Sequence, residues 1–177
     1  MTPKQQAKLR AKIKEHVLNI DIKEHETGTA TVLAYTKIGK FGIKIYEHHR
    51  DRNFGFCNQN KYHKQGMAPR AYFRGTVKFD TPKSDSYGFE LKRVYYYVTD
   101  HATEYWAANR TERNLLKQEW KKLRKKMKSL CISVCDYSHN LNTGLLSKRI
   151  VMIDFDNCSL RRANSIQSGS SMCYAAV

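Results

Sequence analysis

Apolar residues recur at helical spacing near both ends of the chain and alternate with polar ones between. Near the start, Leu9, Ile13, Val17 and Ile20 form one apolar edge, while Lys4, Lys8, Arg10, Lys12 and Lys14 lie elsewhere. This predicts a helix over 3–18, with Thr2 as cap, Pro3 at the first helical position and Gln5 three residues after the cap. Further on, Leu116, Trp120, Leu123, Met127 and Leu130 recur at steps of three and four, predicting one long helix or two joined ones over 103–130. Residues 17–47 read as strands. The run 29–35 is rich in β-branched residues, Gly39 marks a turn, and Phe41, Ile43 and Ile45 then alternate with Gly42, Lys44 and Tyr46. Two more strands, 71–79 and 89–99, flank a turn at 81–88. The continuous apolar run 150–153 predicts a short strand buried on both faces. Together these elements predict an α+β fold with an antiparallel sheet.

A length of 177 residues suits a single domain with a modest core. No apolar run approaches the roughly 20 residues needed to cross a membrane. The first residues lead into a charged helix and not an apolar signal region, so no secretory leader is expected. Five scattered cysteines argue against a disulfide framework and for a reducing, cytoplasmic compartment. Cys131, Cys135 and His139 can be drawn as a zinc site, but the spacing is unusual and no fourth ligand is evident. The plainer reading makes both cysteines small buried hydrophobes.

Charge changes the picture most. Lys and Arg number 32 against 16 Asp and Glu, a net +16, which favours anionic partners: nucleotide, nucleic acid or an acidic protein surface. The second helix carries Lys117, Lys121, Lys122, Arg124, Lys125, Lys126 and Lys128 opposite its apolar face. That face, 117–128, suits nucleic acid or an acidic host protein, although a solvated lysine-rich face is the commoner use of such a pattern.

Candidate chemistry is concentrated in the last third. Asp136, His139, Asn140 and Asn142 fall within seven residues, and the strand 150–153 delivers Asp154 to the edge of a buried region. An Asn and an Asp brought together supply hard oxygen ligands of the kind Mg²⁺ takes alongside substrate phosphates. His139-x-x-Asn142-x-Gly144, followed by Ile153-Asp154-Phe155-Asp156, resembles the catalytic loop and metal-binding loop of the protein-kinase-like superfamily, closest in style to small atypical and phage-type kinases. Earlier pieces fall in matching order. The stretch 41–46 resembles the strand whose lysine contacts the α/β-phosphates, and Gly66-Met67-Ala68-Pro69 resembles the link from the regulatory helix to the next strand.

The resemblance covers roughly residues 26–157. It implies an N-lobe sheet over about 1–100, a minimal helical C-lobe over about 101–157 and an irregular tail at 158–177. It also implies ATP and Mg²⁺ as cofactors and a phosphotransferase acting on Ser or Thr of a protein, in the cytoplasm. By the same resemblance Gly28, Thr29 and Thr31 cover the phosphates, Lys44 holds them, and backbone groups at 99–101, between Thr99 and His101, meet the adenine. Asn142 and Asp154 hold the metal, and Asp136 and His139 orient the acceptor. Two departures stand out. No Glu lies between His48 and Phe79 to pair with Lys44, so Gln59 is the nearest stand-in. Asp136 lies six residues before Asn142, where the pattern places its Asp five before. These leave open a pseudokinase-type or unrelated basic binding protein acting on nucleic acid or a host protein, and a metal-dependent nuclease built on Asp136, His139 and Asp154. Read from its neighbours alone, Lys44 either snorkels at a sheet edge or is held by an anion. Small size and basic composition suit a viral or mobile-element origin.

Overall fold

The computed structural model describes residues 2–27, 32–103, 109–130, 132 and 142–153. The fold is α+β. Helix α1 (Pro3–Asn19) precedes a hairpin of β1 (Ala34–Ile38) and β2 (Phe41–Tyr46). Helix α2 (His49–Lys64) leads to a long hairpin of β3 (Ala71–Ser84) and β4 (Glu90–Asp100). Helix α3 (Arg110–Ser129) and a small hairpin, β5 (Thr143–Leu146) and β6 (Arg149–Met152), complete it. The first four strands form an antiparallel sheet in the order β1-β2-β4-β3, so β2 and β4 are interior.

Helix α1 starts as its sequence dictates. Thr2 accepts from the Gln5 amide at 3.3 Å, and the Gln5 side chain accepts from the Thr2 amide at 2.8 Å, a reciprocal cap. Its Ile13 and Val17 are fully buried against Ile43, Ile45, Val94, Tyr96 and Val98 on one face of the sheet. Each such side chain contributes about 1.5–3 kcal/mol through burial. The opposite face belongs to α2, and there Tyr46 and Tyr97 stack with ring centroids 5.7 Å apart. Strand alternation therefore divides the tyrosine run of β4: Tyr96 faces α1, while Tyr95 and Tyr97 face α2. A separate apolar cluster joins Leu123 and Met127 of α3 to Ile150 and Met152 of β6 and to Tyr62, Met67 and Ala68. The small hairpin is also tied to the end of β4, since Thr103 and Leu145 exchange main-chain hydrogen bonds at 3.0 and 2.7 Å.

Several boundaries differ from the sequence expectation. The described residues between 17 and 33 form no long strand: α1 runs to Asn19, a short helical turn covers Lys23–His25, and β1 begins at Ala34. The two-residue turn at Gly39, with φ +55°, pairs Ile38 with Phe41 and so sets the register. Strand β3 continues past Phe79 to Ser84. Pro82 lies where the register with β4 shifts between Lys78 and Lys83, so its missing N–H breaks no ladder. The turn that follows is held by Asp85, whose carboxylate accepts from the amides of Tyr87 and Phe89 at 3.0 and 2.8 Å. The last strand is Arg149–Met152; Ile150, Val151 and Met152 are all buried, as the apolar run predicts. Ser147 and Lys148 both take positive φ in the two-residue turn before it.

Candidate functional site

A cavity of about 300 Å³ opens on the α2 face of the sheet. Its wall includes Val32, Tyr35, Lys44, Gln59, Thr99 and Asn142, with Ala102 and Ile153 also lining it. These residues come from distant parts of the chain and meet because of three pairings. The β1–β2 hairpin sets Tyr35 opposite Lys44. The β2–β4 pairing sets Gly42 opposite Thr99. The small hairpin brings Asn142 opposite Ile153, whose amide donates to the Asn142 carbonyl at 2.9 Å.

Lys44 is only 7% exposed. Its ammonium donates to the carbonyl oxygen of Ile153 and lies 5.8 Å from the centre of the Tyr97 ring. It does not snorkel at an edge, because β2 is an interior strand. A buried ammonium is costly to desolvate unless it is hydrogen-bonded, and at this wall the Ile153 carbonyl accepts from it.

Gln59 is fully buried, 1% exposed, and lies in the same wall. Its amide is committed elsewhere. It donates to the Pro69 carbonyl at 3.0 Å and to the Thr99 hydroxyl, and accepts from the Tyr97 hydroxyl at 2.9 Å. The expected hydrogen bond from Gln59 to Lys44 is therefore replaced by a network that ties α2 to β4 and to the segment before β3. The physical reason is geometric: Tyr97 lies beside Lys44 in the sheet and its hydroxyl takes the amide oxygen.

Thr99 lines the cavity, and the side chains of Thr99 and His101 are both engaged within the protein. The Thr99 hydroxyl accepts from Gln59, and the His101 Nδ1 meets the Tyr35 hydroxyl at 2.7 Å with the two rings stacked. Burial lowers the His101 pKa, with Lys37 adding to the effect, while burial and Tyr97 push the Tyr35 hydroxyl up to about 12. Both shifts favour the neutral forms, a protonated Tyr35 hydroxyl beside an uncharged His101 ring. Main-chain amides at this end of β4 are also taken: Asp100 donates to Arg70, His101 to Lys40 and Thr103 to Leu145. Among the described residues the Ala102 amide has no partner, and Ala102 lines the cavity.

Gly28, Thr29, Thr31, Asp136, His139 and Asp154 lie outside the described residues, as do Cys131, Cys135 and the tail. Tyr35, Val32 and Ala102 are cavity residues that sequence reasoning missed. The signal for Tyr35 was available, because the turn at Gly39 fixes it opposite Lys44. Ala102 carried none, since what matters there is a main-chain group.

No family model matches the chain, and neither a curated protein nor a solved structure matches it.

Proposed function

We infer that the cavity is a nucleotide site and that the protein is a compact ATP- and Mg²⁺-dependent phosphotransferase of kinase-like design, with Ser or Thr of a protein as acceptor. The observation that carries this reading is that Lys44, Gln59, Thr99 and Asn142, drawn from four separate stretches, line one cavity. The order of parts agrees: a lysine strand, a helix, two strands, a link, a second helix and then a hairpin that ends at Met152, two residues before Asp154. A volume of about 300 Å³ lies at the lower end of ligand pockets and suits a base and sugar, with the phosphates toward Lys44.

In this reading Ala102 donates to the base and Lys44 holds the α/β-phosphates. Asn142 and Asp154 would hold the metal, which would supply positive charge to offset that of the phosphates. Gln59 contributes no charge to Lys44. Transfer to protein is tested by mass spectrometry after incubation with ATP and Mg²⁺. Added phosphate on the chain or on an added protein, abolished in Lys44→Ala, supports it; no phosphate on either counts against it.

One observation favours a second reading. With a neutral amide at Gln59 and Asp136 six residues before Asn142, the same cavity suits a protein that binds nucleotide without transferring phosphate. That protein shows binding in the absence of any transfer.

A further inference from the structure

Helix α3 carries its cations in one row. Arg110, Arg113, Lys117, Lys121, Arg124 and Lys128 follow one another at steps of three and four, and Lys125 flanks the row. At 100° per residue they occupy one side of the helix, next to the stripe of Leu116, Trp120, Leu123 and Met127 that faces the protein. All are exposed. No side chain in the row forms a hydrogen bond or an ion pair with any described residue. The helix's other two lysines are engaged: Lys122 pairs with Glu119 at 2.6 Å, and Lys126 donates to the Gln65 carbonyl at 3.2 Å. The acids Glu112 and Glu119 both lie off the row.

A helix face that only needs solvation interleaves Glu with Lys four apart, because such pairs attract and like charges at that spacing repel. Here the repulsion is kept along the whole row and both acids are placed elsewhere. The row runs about 27 Å at 1.5 Å per residue, with neighbouring cations about 5–6 Å apart. It contains no aromatic or apolar residue. Protein interfaces depend on aromatic and apolar anchors and are depleted in lysine at their centres, so an acidic protein fits this surface poorly. A linear polyanion fits it well. We propose that the exposed face of α3 binds the phosphate backbone of nucleic acid, without reading base sequence. The surface is independent of the cavity, and so is its test.

The measurement is fluorescence anisotropy with the full chain and three labelled probes: a mixed-sequence duplex of about 20 base pairs, a single strand of equal length, and polyglutamate. Each is titrated between about 50 and 200 mM salt, where binding through many phosphates weakens by orders of magnitude. The triple variant Lys117→Gln/Lys121→Gln/Arg124→Gln is expected to bind nucleic acid at least tenfold more weakly at low salt. Its log–log salt slope should be shallower by about 0.9 for each duplex phosphate no longer neutralised, or about 0.7 for a single strand. The control Lys8→Gln/Lys12→Gln/Lys14→Gln removes the same charge from exposed positions on α1 and should stay within threefold of the unmodified protein. Thermal melts separate binding from folding, because relieving like-charge repulsion should leave the α3 variant at least as stable. Equal weakening in both variants, no nucleic-acid binding at low salt, or tighter binding to polyglutamate than to either nucleic acid would each overturn the proposal. Lys44→Ala should leave this binding unchanged.

Discussion

The ammonium of Lys44 donates to the main-chain carbonyl of Ile153, a residue 109 positions further along the chain. The contact joins the centre of the sheet to the end of the small hairpin. It places the buried cation beside the residue that immediately precedes Asp154. It also takes the place of the hydrogen bond to α2 that the sequence led one to expect, since Gln59 is held by Tyr97, Thr99 and Pro69.

That network makes Gln59 a stability residue. Gln59→Leu removes a hydrogen-bond partner from the Tyr97 hydroxyl, the Thr99 hydroxyl and the Pro69 carbonyl. Leaving buried polar groups unpaired costs about 1–3 kcal/mol each, with partial relief where water enters. We expect a loss of about 2–4 kcal/mol in urea unfolding. An unchanged midpoint would show that the network does not fasten α2 to β4.

Gly144 sets how closely the small hairpin approaches the end of β4. A Cβ there would stand 2.9 Å from the Ala102 Cβ, 3.3 Å from the Ile153 Cγ2 and 3.3 Å from the Thr103 carbonyl oxygen. Gly144→Ala must push the hairpin away from Ala102 and Thr103, at about 1–3 kcal/mol. Thermal unfolding measures it, and a variant as stable as the unmodified protein contradicts the close packing.

These two positions show what was legible in the sequence. Helix α1 was readable because cap, proline and apolar edge agree, and the alternation of β2 was readable because one face is apolar. Helix α2 has no apolar periodicity, because the residues it buries include Arg52, Gly55 and Gln59. Only the resemblance around Gly66–Pro69 indicated a helix there. The extension of β3 through Pro82 was hidden because a proline reads as a break unless the register shift is known. At the site, Lys44 and Asn142 were named from motifs and share the cavity. The commitment of Gln59 to Tyr97, and of His101 to Tyr35, depends on strand pairings that residue type alone does not encode.

Stability should fall on both sides of neutrality. His16 and His101 have pKa values lowered below 6.5, chiefly by burial, with His25 and Lys37 as the respective lesser causes. Below pH 6.5 the unfolded chain binds protons that these folded histidines resist, so stability declines as pH falls from 6.5 toward their folded values. Thermal melts at about pH 7.5 and 5.5 check this, and His101→Gln should reduce the decline. A decline of the same size in that variant would remove His101 from the account.

On the alkaline side, the Tyr35 hydroxyl is held up to about 12 from an ordinary 10.0. The unfolded chain releases this proton first, so stability is lost as pH rises from 10 to 12. Tyr35→Phe should make the loss shallower. Tyr72, also raised to about 12, continues to contribute, so the expected result is a reduction and not abolition.

Thermal shift with ATP and Mg²⁺ reads whether the cavity around Lys44 binds nucleotide together with a metal. A ligand present at one hundred times its dissociation constant adds about 2.7 kcal/mol to stability. A nucleotide site here gives an upward shift that requires Mg²⁺ and disappears in both Lys44→Ala and Asp154→Asn. No shift in the unmodified protein at millimolar ATP, or a shift that survives in Lys44→Ala, would contradict it.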